Sequence, residues 1–79
     1  MVTIHRAHGM RFVIFANDHE PAHVHAFGDG EAKINLAGAN GEPDLVHVAG
    51  MTFRDASRAM ATVREQQARM LARWKEIHG

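Results

Sequence analysis

The segment Asn17-Asp18-His19-Glu20-Pro21-Ala22-His23-Val24-His25 gathers three imidazoles and two carboxylates into nine residues. In an extended strand, residues two apart share a face, so His23 and His25 project together about 7 Å apart while Val24 turns to the core. Two imidazole nitrogens so placed can share one divalent ion, with His19 or Asp18 from the preceding loop as a third ligand. His19, His23 and His25 as neutral imidazoles suit zinc and leave a position open for water. Asp18 then serves as a fourth ligand or as the acceptor that fixes one imidazole's tautomer. The same pair suits metal-free acid–base catalysis. His23 and His25, in different protonation states, would take and return a proton, as cleavage of a phosphodiester by a ribose 2′-hydroxyl requires. The plainer alternative is a solvated strand face whose histidines neither ligate nor catalyse.

Four further histidines complete a set of seven. By alternation His5 and His47 should both face away from the helix-covered side of the sheet, where they could extend the cluster or stand idle in solvent. His8 reads as a turn residue, and His78 as a helix terminus that complements the dipole. Arginines Arg54 and Arg58, and again Arg69 and Arg73, stand one helical turn apart. They could track RNA phosphates or an acidic partner; the alternative is a solvated face with Glu65–Arg69 as an i,i+4 pair. Trp74 and the methionines Met51, Met60 and Met70 read as core or interface. Gly28-Asp29-Gly30 reads as a hairpin turn, without the strand–helix context of a phosphate loop.

The elements that must position these groups follow from hydrophobic period. Alternation predicts strands over residues 2–6, 22–27 and 31–36, and a doubly apolar central strand over 11–16. A further strand is expected over 44–48. From Thr52 the period changes to three and four: Phe53, Ala56, Met60, Val63, Met70, Trp74 and Ile77 form one stripe that Gln67 interrupts. Thr52 with Asp55 resembles a capping box. The expectation is a single α+β domain over 1–79: an antiparallel β-meander of four or five short strands (1–48), with one long C-terminal helix (52–77) packed on one face. Its buried set should include Val2, Ile4, Phe12, Ile14, Val24, Ile34, Leu36, Phe53, Met60, Val63 and Trp74.

Composition narrows the classes. The chain has 79 residues and no cysteine, which excludes disulfides, thiolate metal sites and a cysteine nucleophile. No apolar run approaches the length of a membrane span and the start lacks a signal-peptide pattern, so a soluble, cytoplasmic protein is expected. Lysine plus arginine balance aspartate plus glutamate at 9 each. The split is uneven: three basic against six acidic residues over 1–51, and six against three over 52–79. A helix of roughly 25 residues is about 38 Å long, more than a small sheet covers. Met70, Leu71, Trp74 and Ile77 should therefore overhang and meet a homodimer mate or a partner protein.

Asn-Asp-His-x-Pro-x-His-Val-His, entered from an aromatic strand and followed by Gly-Asp-Gly-Glu-Ala-Lys, resembles the signature of a small prokaryotic family, domain of unknown function 4160. The resemblance runs from Thr3-Ile4 through Arg11-Phe12 and Asn17 to Lys33, and on to Trp74-x-Glu76-x-x-Gly79. Two positions depart from it: Ala22 stands where a second proline is usual, and Ala26 where a branched or aromatic residue is usual. By carry-over, Asp18, His19, His23 and His25 occupy the signature positions. The resemblance implies a toxin-like component of a type II toxin–antitoxin pair, often encoded beside a small protein of domain of unknown function 2442. Joined to the residue chemistry, it gives the first expectation: an RNA-directed component with His23 and His25 as acid–base pair and the helix arginines as phosphate contacts. The alternatives are a non-catalytic protein-interaction module and a small divalent-metal-binding domain.

Overall fold

The computed structural model describes residues 1–79. Five strands, β1 (Val2–Ala7), β2 (Met10–Ile14), β3 (His23–Phe27), β4 (Glu31–Asn35) and β5 (Asp44–Ala49), precede one helix, α1 (Phe53–His78). The strands lie side by side in chain order and each pair is antiparallel, so the sheet is an open meander with β1 and β5 at its edges. This is the expected α+β architecture, with all five strands present.

Turn chemistry explains the connections. His8 and Gly9 both have positive φ, 54° and 73°, the backbone of a two-residue hairpin whose twist matches the strands it joins. The β3–β4 hairpin closes through Gly28 N–H donating to the Gly30 carbonyl at 2.9 Å. Gly30 also has a packing reason to be glycine, because a Cβ there would run into the backbone of Ala49 and Gly50. The helix starts where the capping pattern placed it: Thr52 Oγ1 accepts from the Asp55 N–H at 3.1 Å. It ends on Gly79, whose φ is 78° and whose N–H donates to the Lys75 carbonyl.

One face of the sheet carries Phe12, Ile14, Val24, Ile34 and Leu36, all fully buried, and the helix closes that core with Ala59, Val63, Met70 and Trp74. Burial of this kind, at about 25 cal/mol per Å² of apolar surface, is the main force holding so short a chain together. Gln67, the polar break in the stripe, is explained by two carbonyls: its Nε2 donates to Leu36 O at 2.7 Å and to Gly41 O at 2.8 Å. It ties the β4–β5 loop to the helix.

Four expectations are corrected. Phe53 is exposed, because it begins the helix beyond the edge of the sheet. Met70 and Trp74 do not overhang; they are buried, and Leu71 and Ile77 pack partly against the same core. The helix lies across the sheet so that burial runs from Ala56 to Trp74 and only its first turn, with Phe53, stands clear. His5 does not face away from the helix. A bulge between Thr3 and His5 shifts the register so that His5 pairs with Phe12, on the core face. Val2, Ile4 and Met60 are half-buried rather than fully buried.

No helix is long and apolar enough to cross a membrane.

Candidate functional site

Alternation along β3 places Val24 and Ala26 in the core and His25 and Phe27 on the sheet face that the helix leaves uncovered, while His23, at the start of the strand, is buried against Trp74 of α1. The register then defines a row across all five strands on that face: Thr3, Val13, His25, Lys33 and His47. His47 is thus on the expected face, though at the exposed edge and outside the cluster.

The loop between β2 and β3 supplies the carboxylate. Asp18 N–H donates to the Phe15 carbonyl at 3.0 Å and the Phe15 N–H points at Asp18 Oδ2 at 3.4 Å, a reciprocal turn that fixes the side chain. Oδ2 then lies 3.1 Å from His23 Nε2 and 3.4 Å from His25 Nε2. One ligand atom from each of the three residues can be chosen so that all lie within 4.8 Å of one another. The structure brings Asp18, rather than His19, together with His23 and His25; His19 is exposed, turned out by the loop that folds Asp18 inward.

Hydrogen bonding constrains the protons. His23 Nδ1 is 2.9 Å from the Pro21 carbonyl, and a carbonyl can only accept, so Nδ1 carries the hydrogen. In a neutral ring the Nε2 lone pair then faces the Asp18 carboxylate and repels it, and either a cation between them or a proton on Nε2, which makes an ion pair with Asp18, removes the repulsion. His25 repeats the pattern. Its Nε2 looks toward Asp18 and its Nδ1 toward Glu31 Oε2 at 3.5 Å, yet neither buried nitrogen makes a well-aligned hydrogen bond. Leaving such buried groups unsatisfied costs about 1–3 kcal/mol each.

Aromatic rings wall the site. Phe15 meets His25 edge-on at 5.0 Å, and Phe27 stacks near-parallel to it at 6.1 Å. Trp74 lies 5.2 Å from the His23 ring, with His78 stacked on the indole at 3.8 Å. The indole N–H donates to Glu20 Oε2 at 3.1 Å, clamping the loop to the end of the helix. Glu31 was not among the residues singled out from the sequence. The signal was there, since Glu31 is paired with Phe27 and so alternates onto the same face as His25.

The helix arginines lie elsewhere. Arg58 Nη1 is 3.9 Å from Asp55 Oδ1, Arg69 donates to Gln66 Oε1 at 3.3 Å rather than pairing with Glu65, and Arg73 reaches Glu76 at 3.3 Å. Arg54 is exposed at the first turn. Arg69 and Arg73, with Ile4 and His5, line a groove of about 260 Å³ between β1 and α1, on the helix side of the sheet. His25 is on the opposite side.

A match to Domain of unknown function (DUF4160) covers residues 9–75. The chain belongs to this family. The matched stretch takes in the whole Asp18–His23–His25 site and all of α1 but its last residues. No curated protein and no solved structure matches the chain.

Proposed function

We propose that this DUF4160 chain is a divalent-cation-binding protein, with zinc the best-fitting ion and Asp18, His23 and His25 the ligands. The observation that carries the reading is Asp18 Oδ2 set between the two imidazole nitrogens, with all three ligand atoms within 4.8 Å of one another. In a tetrahedral site with bonds of about 2.0–2.1 Å, neighbouring ligand atoms lie about 3.3 Å apart. The separations from Asp18 Oδ2 to the two Nε2 atoms, 3.1 and 3.4 Å, bracket that value. The outer nitrogens support it too. His23 Nδ1 donates to Pro21 O, the kind of outer acceptor that holds a ligating imidazole in the correct tautomer, and Glu31 Oε2 stands 3.5 Å from His25 Nδ1 without a well-aligned bond.

Such an ion would join the β2–β3 loop to β3 and give the unsatisfied His25 Nε2 a bond. Three protein donors leave a further position for water or an outside ligand. A metal-free ribonuclease-like activity of a toxin–antitoxin component has less support. It needs His23 and His25 to share a surface with Arg54, Arg58, Arg69 and Arg73, whereas His25 and the groove bearing Arg69 and Arg73 lie on opposite sides of the sheet.

The test is thermal melting of untagged chain with zinc and then with excess chelator. At a free ion concentration one hundred times the Kd, binding to the folded state alone adds about 2.7 kcal/mol. For a domain of this size that is a rise in Tm of about 10–20 °C. The rise should reverse with chelator and vanish in Asp18→Asn. A melting curve that zinc does not move contradicts the proposal.

A further inference from the structure

Apart from Met1, every large hydrophobic side chain that the fold leaves exposed lies along one edge of the molecule: Leu45, Val46 and Val48 on β5, and Phe53 on the first turn of α1. Phe53 is 88% exposed and Val46 51%. Exposed apolar side chains gathered in this way mark a contact surface. β5 is an edge strand, paired only with β4. From Asp44 to Gly50 it contains no lysine, arginine or proline, the residues that natural edges use to repel another strand. The other edge is different: β1 carries Arg6 and is mostly half-buried.

The bulge in β5 gives this edge an unusual property. Leu45 pairs with Ile34 and Val48 with Ala32, so the extra residue, Val46, puts two side chains three apart on the same helix-covered face. We propose that this edge is a homodimer interface in which β5 pairs antiparallel with β5 of a second copy. A two-fold axis between Val46 and His47 sets Leu45 of each copy opposite Val48 of the other. Because both residues share one face, apolar meets apolar twice on the same side of the extended sheet, an isologous match that a strand in the reverse direction does not offer. A cavity of about 360 Å³ lined by Leu45, Phe53, Ala56, Ser57, Met60 and Arg64 runs along the same edge. This side-chain complementarity of the edge with itself, Leu45 against Val48 twice about one axis, selects a second copy of this chain as the occupant.

The experiment is gel filtration with light scattering on untagged full-length chain at micromolar concentration. The expected mass is twice the 8.8 kDa of the chain. Val46→Lys places an ammonium group beside the axis and should return the mass to that of one chain, with the far-UV circular dichroism unchanged. If that variant unfolds, Phe53→Ser replaces it, since Phe53 lies outside the sheet and is almost fully exposed. It should weaken the dimer about tenfold or more in Kd. A monomeric wild-type chain overturns the proposal, as does a dimer whose Kd neither folded variant changes.

Discussion

Gln67→Leu is the substitution that most sharply separates hydrophobic pattern from hydrogen bonding in this fold. Residue 67 lies on the apolar stripe of α1, and pattern alone says that leucine there should add buried surface and stabilise. The geometry says the reverse. Gln67 Nε2 donates to Leu36 O at 2.7 Å and Gly41 O at 2.8 Å, joining the helix to a loop 26 to 31 residues away in the chain. Each such bond contributes about 0.5–1.5 kcal/mol net, and a buried carbonyl left without a donor adds to the loss. The Leu36 end is partly buried and the Gly41 end exposed, so the expected destabilisation is about 1–2 kcal/mol. For a domain of 60–100 residues this lowers Tm by about 5–15 °C. Urea and thermal unfolding, followed by circular dichroism on the metal-free chain, measure it. A Gln67→Leu variant as stable as wild type, or more stable, refutes the assignment of these bonds as the reason for glutamine.

Trp74→Phe should cost about 1–2 kcal/mol by urea unfolding, because it removes the indole N–H that holds the Glu20 carboxylate while keeping a ring against His78. An unchanged unfolding midpoint would show that this clamp contributes nothing. Gly30→Ala should destabilise by about 1–3 kcal/mol, since the added methyl meets the backbone of Ala49 and Gly50 rather than a flexible side chain. A neutral result in thermal melting would contradict the close approach of β4 and β5 at that point. Zinc affinity, measured by competition with a chromophoric chelator, should fall as pH is lowered from 7.5 to 5.5, because protons compete for the two imidazoles. A flat profile would remove His23 and His25 from the ligand set.

Period-2 and period-3.6 patterns fixed each element to within one or two residues, because every strand but the doubly apolar β2 alternates and turn residues mark the ends. The pairing of His23 with His25 was legible for the same reason. Bulges were not. The one in β1 turns His5 to the core face, and the one in β5 aligns Leu45 with Val48; both depend on what the neighbouring strand requires. The choice between Asp18 and His19 was equally hidden, since two adjacent loop residues point in different directions and only the turn that binds Asp18 to Phe15 decides which enters. The exposed end of the helix was misplaced because length says how much must overhang, not which end. Trp74 settles that by packing against the core and bonding Glu20.

The central claim, that Asp18, His23 and His25 hold a divalent ion, is tested most directly by calorimetric titration of zinc into untagged, chelator-stripped chain beside the Asp18→Asn and His23→Ala variants. The account predicts saturable, stoichiometric binding by the wild type and loss of that binding in both variants, each still folded by circular dichroism. Absence of heat and of any melting shift in the wild type, or binding that survives in the folded variants, would contradict it.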